Sequence, residues 1–169
     1  MKKIILLCAI SAALMISGCG KKDSEMREEN PTIPAKIAEQ MTGDNKEIET
    51  YETSGELADV IKSVNSGAQV RQTDNPGLKM LSVELPIDNE DKLSEEFVSQ
   101  VEKIITKTKL DQNTDYNYFY FSSSKDDSVL VYASFKNEDG TFKADKSAAV
   151  DGKYSDSLAK AVEKSDMFK

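Results

Sequence analysis

The 169-residue chain contains no histidine. That removes the side chain best suited to moving a proton near neutral pH, and with it every nucleophilic triad built on imidazole. The two cysteines, Cys8 and Cys19, both fall within the first twenty residues, so a zinc site of His and Cys ligands is excluded. The glycines are scattered, and neither G-x-G-x-x-G nor G-x-x-x-x-G-K occurs, so no phosphate-cradling loop is encoded. Carboxylates are abundant. Asp88-Asn89-Glu90-Asp91 offers oxygen ligands, but Lys92 interrupts the alternation; Asn137-Glu138-Asp139-Gly140-Thr141 is interrupted in the same way by Lys143. Neither fits a calcium loop, and they read as the start of a helix and as a hairpin turn. A pair of carboxylates acting on glycans needs no proximity in sequence and stays open as an option. The absence of tryptophan to stack on sugars counts against it, and no S-x-x-K occurs with its supporting motifs. On this inventory the chain is expected not to be an enzyme and to bind no metal.

The most unusual local feature is Tyr116-Asn117-Tyr118-Phe119-Tyr120-Phe121. In a strand Tyr116, Tyr118 and Tyr120 point one way and the phenylalanines the other. Phe119 and Phe121 are expected to face the helices with Val129, Val131 and Phe135. That leaves a row of three tyrosines on the second sheet face, joined by Tyr132 from the next strand. Tyrosine is enriched where protein partners dock, so these four residues form a candidate binding face. The same residues also favour strands and stabilise sheets as cross-strand aromatic pairs.

The elements that must position this row follow from periodicity. Leu57, Val60, Ile61 and Val64 form one apolar stripe, so a helix is expected over 55–65, with Thr53 and Glu56 spaced as a capping box. Strands are expected over 68–73 and 78–85, separated by the turn Asn75-Pro76-Gly77. The strongest helix is expected over 94–107, capped by Ser94, with Phe97, Val98, Val101, Ile104 and Ile105 buried. Strands at 116–122 and 128–136 form a second hairpin, residues 141–152 are ambiguous, and a last helix covers 155–166. The expected fold is α+β, in the order helix, hairpin, helix, hairpin, helix. It has one antiparallel sheet of about four strands, with helices mainly on one face.

The first twenty residues carry a different signal. Lys2 and Lys3 precede an apolar run, Ile4–Ile16, that is too short to span ~30 Å of hydrocarbon. A positive start and a small-residue end are those of an export signal. The end, Ile16-Ser17-Gly18-Cys19, resembles the lipobox of bacterial lipoprotein precursors. The resemblance covers residues 1–19 only. It implies that a diacylglyceryl group is attached to the Cys19 sulfur, that cleavage falls between Gly18 and Cys19, and that the new N-terminus can be acylated. A single acyl chain binds membranes only marginally, whereas two chains on one residue hold a protein firmly. Cys8 leaves with the signal and the Cys19 sulfur is consumed, so no disulfide is available and the fold must stand on its core.

Removing residues 1–18 would take away two lysines and move the formal charge from −8 to −10. Such a charge disfavours nucleic acid and argues against lying flat on anionic lipid. Residues 19–52 are expected to be the lipidated cysteine and a flexible tether with a reach of roughly 30 Å. Within it, Thr32, Pro34, Ile37, Ala38 and Met41, ending at Gly43, have the spacing of a two-turn helix. Residues 53–169 are expected to form one domain. The expectation for the whole is a surface lipoprotein on the outer side of a cell membrane, or facing the periplasm in a two-membrane organism. It would act as a non-enzymatic binding, immunity or exclusion module on another exported protein or envelope component. Its only prosthetic group would be the lipid on Cys19, with no nucleic-acid partner and no small-molecule substrate. The alternatives are a small carboxylate-dependent envelope hydrolase and a structural spacer.

Overall fold

A computed structural model describes residues 50–169. The chain runs β1 (Thr50–Glu52), α1 (Glu56–Val64), β2 (Gln69–Asn75), β3 (Leu78–Glu84), α2 (Leu93–Thr108), β4 (Tyr118–Lys125), β5 (Ser128–Glu138), β6 (Thr141–Ala149) and α3 (Ser155–Glu163). Single-turn 3₁₀ segments occupy Glu90–Lys92, Leu110–Gln112, Gly152–Tyr154 and Asp166–Phe168. The architecture is α+β with a single mixed sheet in the order β1-β2-β3-β4-β5-β6. Five strands have seven residues or more, and β1 is a three-residue edge.

Two expectations about the sheet are corrected. It is not wholly antiparallel, because β3 and β4 pair in parallel with Met80 opposite Tyr118 and Val83 opposite Phe121. A parallel pair needs a crossover, and α2 with its flanking turns supplies it. The sheet is also larger than four strands. β1 pairs with β2 through residues 50–52, which on composition belonged to the tether, and the ambiguous segment after Gly140 is β6.

The three described helices bury their apolar stripes on one sheet face. Ala58 and Ile61 of α1, Phe97, Val101, Ile104 and Ile105 of α2, and Leu158 and Ala161 of α3 join Leu81, Val83, Phe119, Phe121, Val131 and Phe135 in one core. Phe135 is the hub of its aromatic part, stacked on Phe142 at 5.2 Å and edge-on to Phe121 and Phe168. Rings so placed are worth about 0.5–1.5 kcal/mol per pair beyond their burial. The helix ends differ from expectation. α1 starts after Gly55, whose φ of 104° only glycine adopts readily, and no capping box forms. The Thr53 hydroxyl is buried and has no partner among the described residues. α2 starts at Leu93, and the Ser94 hydroxyl bonds Ser157 of α3 at 2.8 Å instead of capping.

Candidate binding face

The second sheet face is built by alternation from the central strands. Leu78, Met80, Tyr118 and Tyr120 form a separate buried cluster, with Tyr132 packed against it. Tyr120 sits opposite Ser82 on β3 and Ser134 on β5, so serine flanks the ring on both sides. Its ring stacks on Tyr132 at 5.7 Å and 24°.

The structure brings Tyr118, Tyr120 and Tyr132 together and removes Tyr116 from the row. β4 begins only at Tyr118, so residue 116 precedes the strand and its alternation does not apply. Tyr116 packs on the helix-side core, 6.0 Å from Phe119, and its hydroxyl donates to Gln72 at 3.0 Å. Asn117 makes the break: its side chain accepts from the Lys79 N–H and donates to the Gly77 carbonyl, both at 2.9 Å. The rest of the row is largely closed to solvent. Tyr118 is 4% exposed and Tyr120 0%, and Tyr132 is half-buried.

The two buried hydroxyls have different fates, and a β-bulge decides which. β5 and β6 shift register between Ser134 and Phe135, which leaves Asp145 as the unpaired residue on β6. A bulge re-aims its side chain. Asp145 accepts from the Tyr118 hydroxyl at 3.2 Å and the Ser134 hydroxyl at 3.3 Å, and pairs with Lys136 at 2.7 Å. Partial burial pulls Asp145 up. The Lys136 ammonium and the two hydroxyls more than offset this, so its carboxyl lies below the usual range. Burial pushes Tyr118 up to about 12. Burial also raises Tyr120, and its hydroxyl has no hydrogen-bond partner among the described residues. Lys146 lies 5.8 Å over the Tyr132 ring, at the exposed rim. Asp145 was not visible as a site residue in the sequence, because nothing marks the position of a bulge.

Other carboxylates are held by lysines. Glu90 pairs with Lys125 of the β4–β5 hairpin and, at 2.9 Å, with Lys153 before α3; these hydrogen bonds hold its carboxyl down at about 2. Glu138 pairs with Lys143 at 2.7 Å across the β5–β6 turn. Both acidic runs weighed as calcium loops are therefore engaged in ion pairs. No group of three His, Cys, Asp or Glu that could hold a metal ion occurs among the described residues. An open groove between α1 and α2 sets Glu95 and Glu96 beside Gln100, Lys103 and Lys107. No helix among the described residues is long and apolar enough to cross a membrane. The lipobox residues Ile16, Ser17, Gly18 and Cys19, and the helix expected over 32–43, lie outside the described residues. No protein-family model, curated protein or solved structure matches this chain.

Proposed function

We propose that this chain is a lipid-anchored binding module on the outer side of a bacterial membrane. It docks an extended segment of another exported protein, as a recognition, immunity or exclusion factor. The observation that carries the reading is the outer edge of β6. This nine-residue strand ends the sheet order, so no strand lies beyond it among the described residues. An open edge is a template for strand addition, in which main-chain hydrogen bonds supply affinity and alternate side chains supply choice of partner. Lys143 and Lys146 stand exposed along it, which favours a segment carrying carboxylates and discourages uncontrolled pairing. The carboxylates whose titration is displaced, Glu90, Glu138, Asp145 and Asp166, all move downwards beside lysines. That suits ion pairing, whereas the acid of a glycan hydrolase is raised.

Two experiments test the reading. A photo-reactive residue in place of Lys143 should give a discrete covalent adduct in intact cells, and one in place of Lys160 on α3 should not. Equal adducts from both positions, or none from Lys143, would overturn the edge as the docking surface. For the anchor, Cys19→Ala should abolish incorporation of radioactive fatty acid. Undiminished label in that variant would refute lipidation at Cys19.

A further inference from the structure

β6 has two unlike sides. On the helix side Phe142 and Ala144 are half-buried against the core, and the Phe142 ring stacks on Phe135 at 5.2 Å. The turn after α3 extends this apolar surface. Met167 and Phe168 are half-buried there, and the Phe168 ring meets Phe135 edge-on at 5.1 Å. Just past the strand, Val150 is 57% exposed, the most open large apolar side chain among the described residues. On the tyrosine side Lys143 and Lys146 are exposed, opposite Lys136 and Ser134 of β5. The bulge absorbs Asp145, so the two lysines occupy successive positions on one face although three residues apart in sequence.

Granted that β6 is the docking edge, we infer that its partner is an amphipathic strand in which carboxylates alternate with apolar side chains. The carboxylates fall on Lys143 and Lys146, and the apolar side chains continue the surface of Phe142, Ala144 and Phe168. Main-chain bonds along an edge are alike for any sequence, so the choice of partner comes from side chains. Successive residues of an added strand lie on opposite sheet faces, so one alternating segment meets both sides at once. Carboxylates two residues apart face the lysines, where opposite charges on neighbouring strands attract and like charges repel. Lys143 is paired with Glu138 at 2.7 Å, but that pair is exposed, and exposed pairs are weak and exchange readily. Asp145 does not oppose such a partner. It accepts from the Tyr118 and Ser134 hydroxyls and is neutralised by Lys136.

The same charges disfavour a second copy of this chain as the occupant. A two-fold axis normal to the sheet would add β6 to β6 with their lysine sides continuous, and would crowd the lysines of both copies onto one stretch of one face. The net charge of −8 sharpens the choice of place: an acidic segment is repelled by the body as a whole and is attracted where lysines line an edge.

The test uses the full chain in detergent micelles and fluorescent peptides matched to β6 in length. One alternates valine with glutamate, one valine with lysine, and one serine with glutamate. The valine–glutamate peptide should bind at least about tenfold tighter than either of the others, since it alone satisfies both sides of the strand. Its advantage over the lysine peptide should shrink in high salt. Lys143→Glu with Lys146→Glu should reverse the order of the glutamate and lysine peptides. Equal affinity for the valine–glutamate and valine–lysine peptides would overturn the role of the lysines, and equal affinity for the serine–glutamate peptide would overturn the role of the apolar side. In either case slowed hydrogen exchange of the β6 amides on binding would show that the edge still accepts a strand. If no peptide binds, the inference fails, while the edge itself stands or falls with the photo-adduct from position 143. An adduct identified as a second copy of this chain would also overturn the inference. Should the double variant fail to fold, the peptide comparison on the unaltered chain decides.

Discussion

Tyr118→Phe and Tyr120→Phe delete the same atom from neighbouring rings, and the structure predicts opposite signs. Tyr120 is fully buried, its ring stacks on Tyr132, and its hydroxyl finds no partner among the described residues. A buried polar group left unpaired costs about 1–3 kcal/mol, so removing it while keeping the ring should stabilise the fold by about 1 kcal/mol. For a body of about 120 residues that is a rise in Tm of roughly 4 °C. The Tyr118 hydroxyl donates to Asp145, a charge-assisted bond of about 1.5–3 kcal/mol. Asp145 keeps Lys136 and Ser134, so Tyr118→Phe should destabilise by the lower end of that range, about 1.5 kcal/mol. Urea denaturation reads both as shifts in midpoint at constant slope. The alkaline limb supplies a second readout. Both tyrosines titrate above their ordinary value of 10 in the folded protein. Their contribution is therefore complete below about pH 10 and is lost as pH rises through the folded values. Each substitution should make stability fall less steeply above pH 10. If Tyr120→Phe destabilised as much as Tyr118→Phe, the Tyr120 hydroxyl would have a partner and the reasoning from its isolation would fail.

Three further substitutions test other parts of the fold. Gly67→Ala would place a Cβ 2.7 Å from Cγ of the stiff Pro86 ring, and should lower the urea midpoint by the equivalent of about 1–3 kcal/mol. Phe97→Ala empties the centre of α2, where the ring is 0% exposed; a loss of about 3–5 kcal/mol is expected, and a loss under about 1 kcal/mol in the same denaturation would contradict the assigned core. Glu90 titrates at about 2 against an ordinary 4.5, so its contribution is present above pH 4.5 and disappears as pH falls from there towards 2. Glu90→Gln should flatten stability over that window, and the difference from the unaltered chain should shrink in high salt; an acid limb of unchanged slope would show that the Lys125 and Lys153 pairs are not formed in solution.

The helices were legible in the sequence because their stripes are long. Seven buried residues of α2 recur at helical spacing, and tertiary packing had only to accept the pattern. Strand existence was legible for the same reason from β2 to β5, but strand pairing was not. Nothing local distinguishes a β3 that pairs antiparallel with β4 from one that pairs in parallel, since the decision rests on where α2 delivers the chain. β1 has three residues, below any window that reveals alternation. β6 was ambiguous because an edge strand is wet on most of its length; only Phe142 and a few alanines mark its inner side. The tyrosine row failed at one end because Asn117 imitates a strand residue with its side chain and Tyr116 then turns to the helix-side core. Asp145 was out of reach because a bulge is a property of two paired strands, not of one.

The composition of a strand also records how many layers enclose it. A strand with one wet face alternates apolar with polar. β4 does not: Tyr118, Phe119, Tyr120 and Phe121 follow one another, and all four are buried. β3 behaves alike through Met80, Leu81, Ser82 and Val83. Tyrosine in such a run is open to two readings, a docking surface or an inner wall, and the burial of Tyr118 and Tyr120 favours the wall. Where the wall meets its rim, the Asp145 bulge satisfies the Tyr118 hydroxyl; one alternation further in, the Tyr120 hydroxyl has no partner among the described residues. A surface selected to meet a partner would gain nothing from sealing Tyr120. The same logic moves the search for a partner to β6, where exposed and half-buried residues do alternate over the first half of the strand and one side has no neighbouring strand among the described residues.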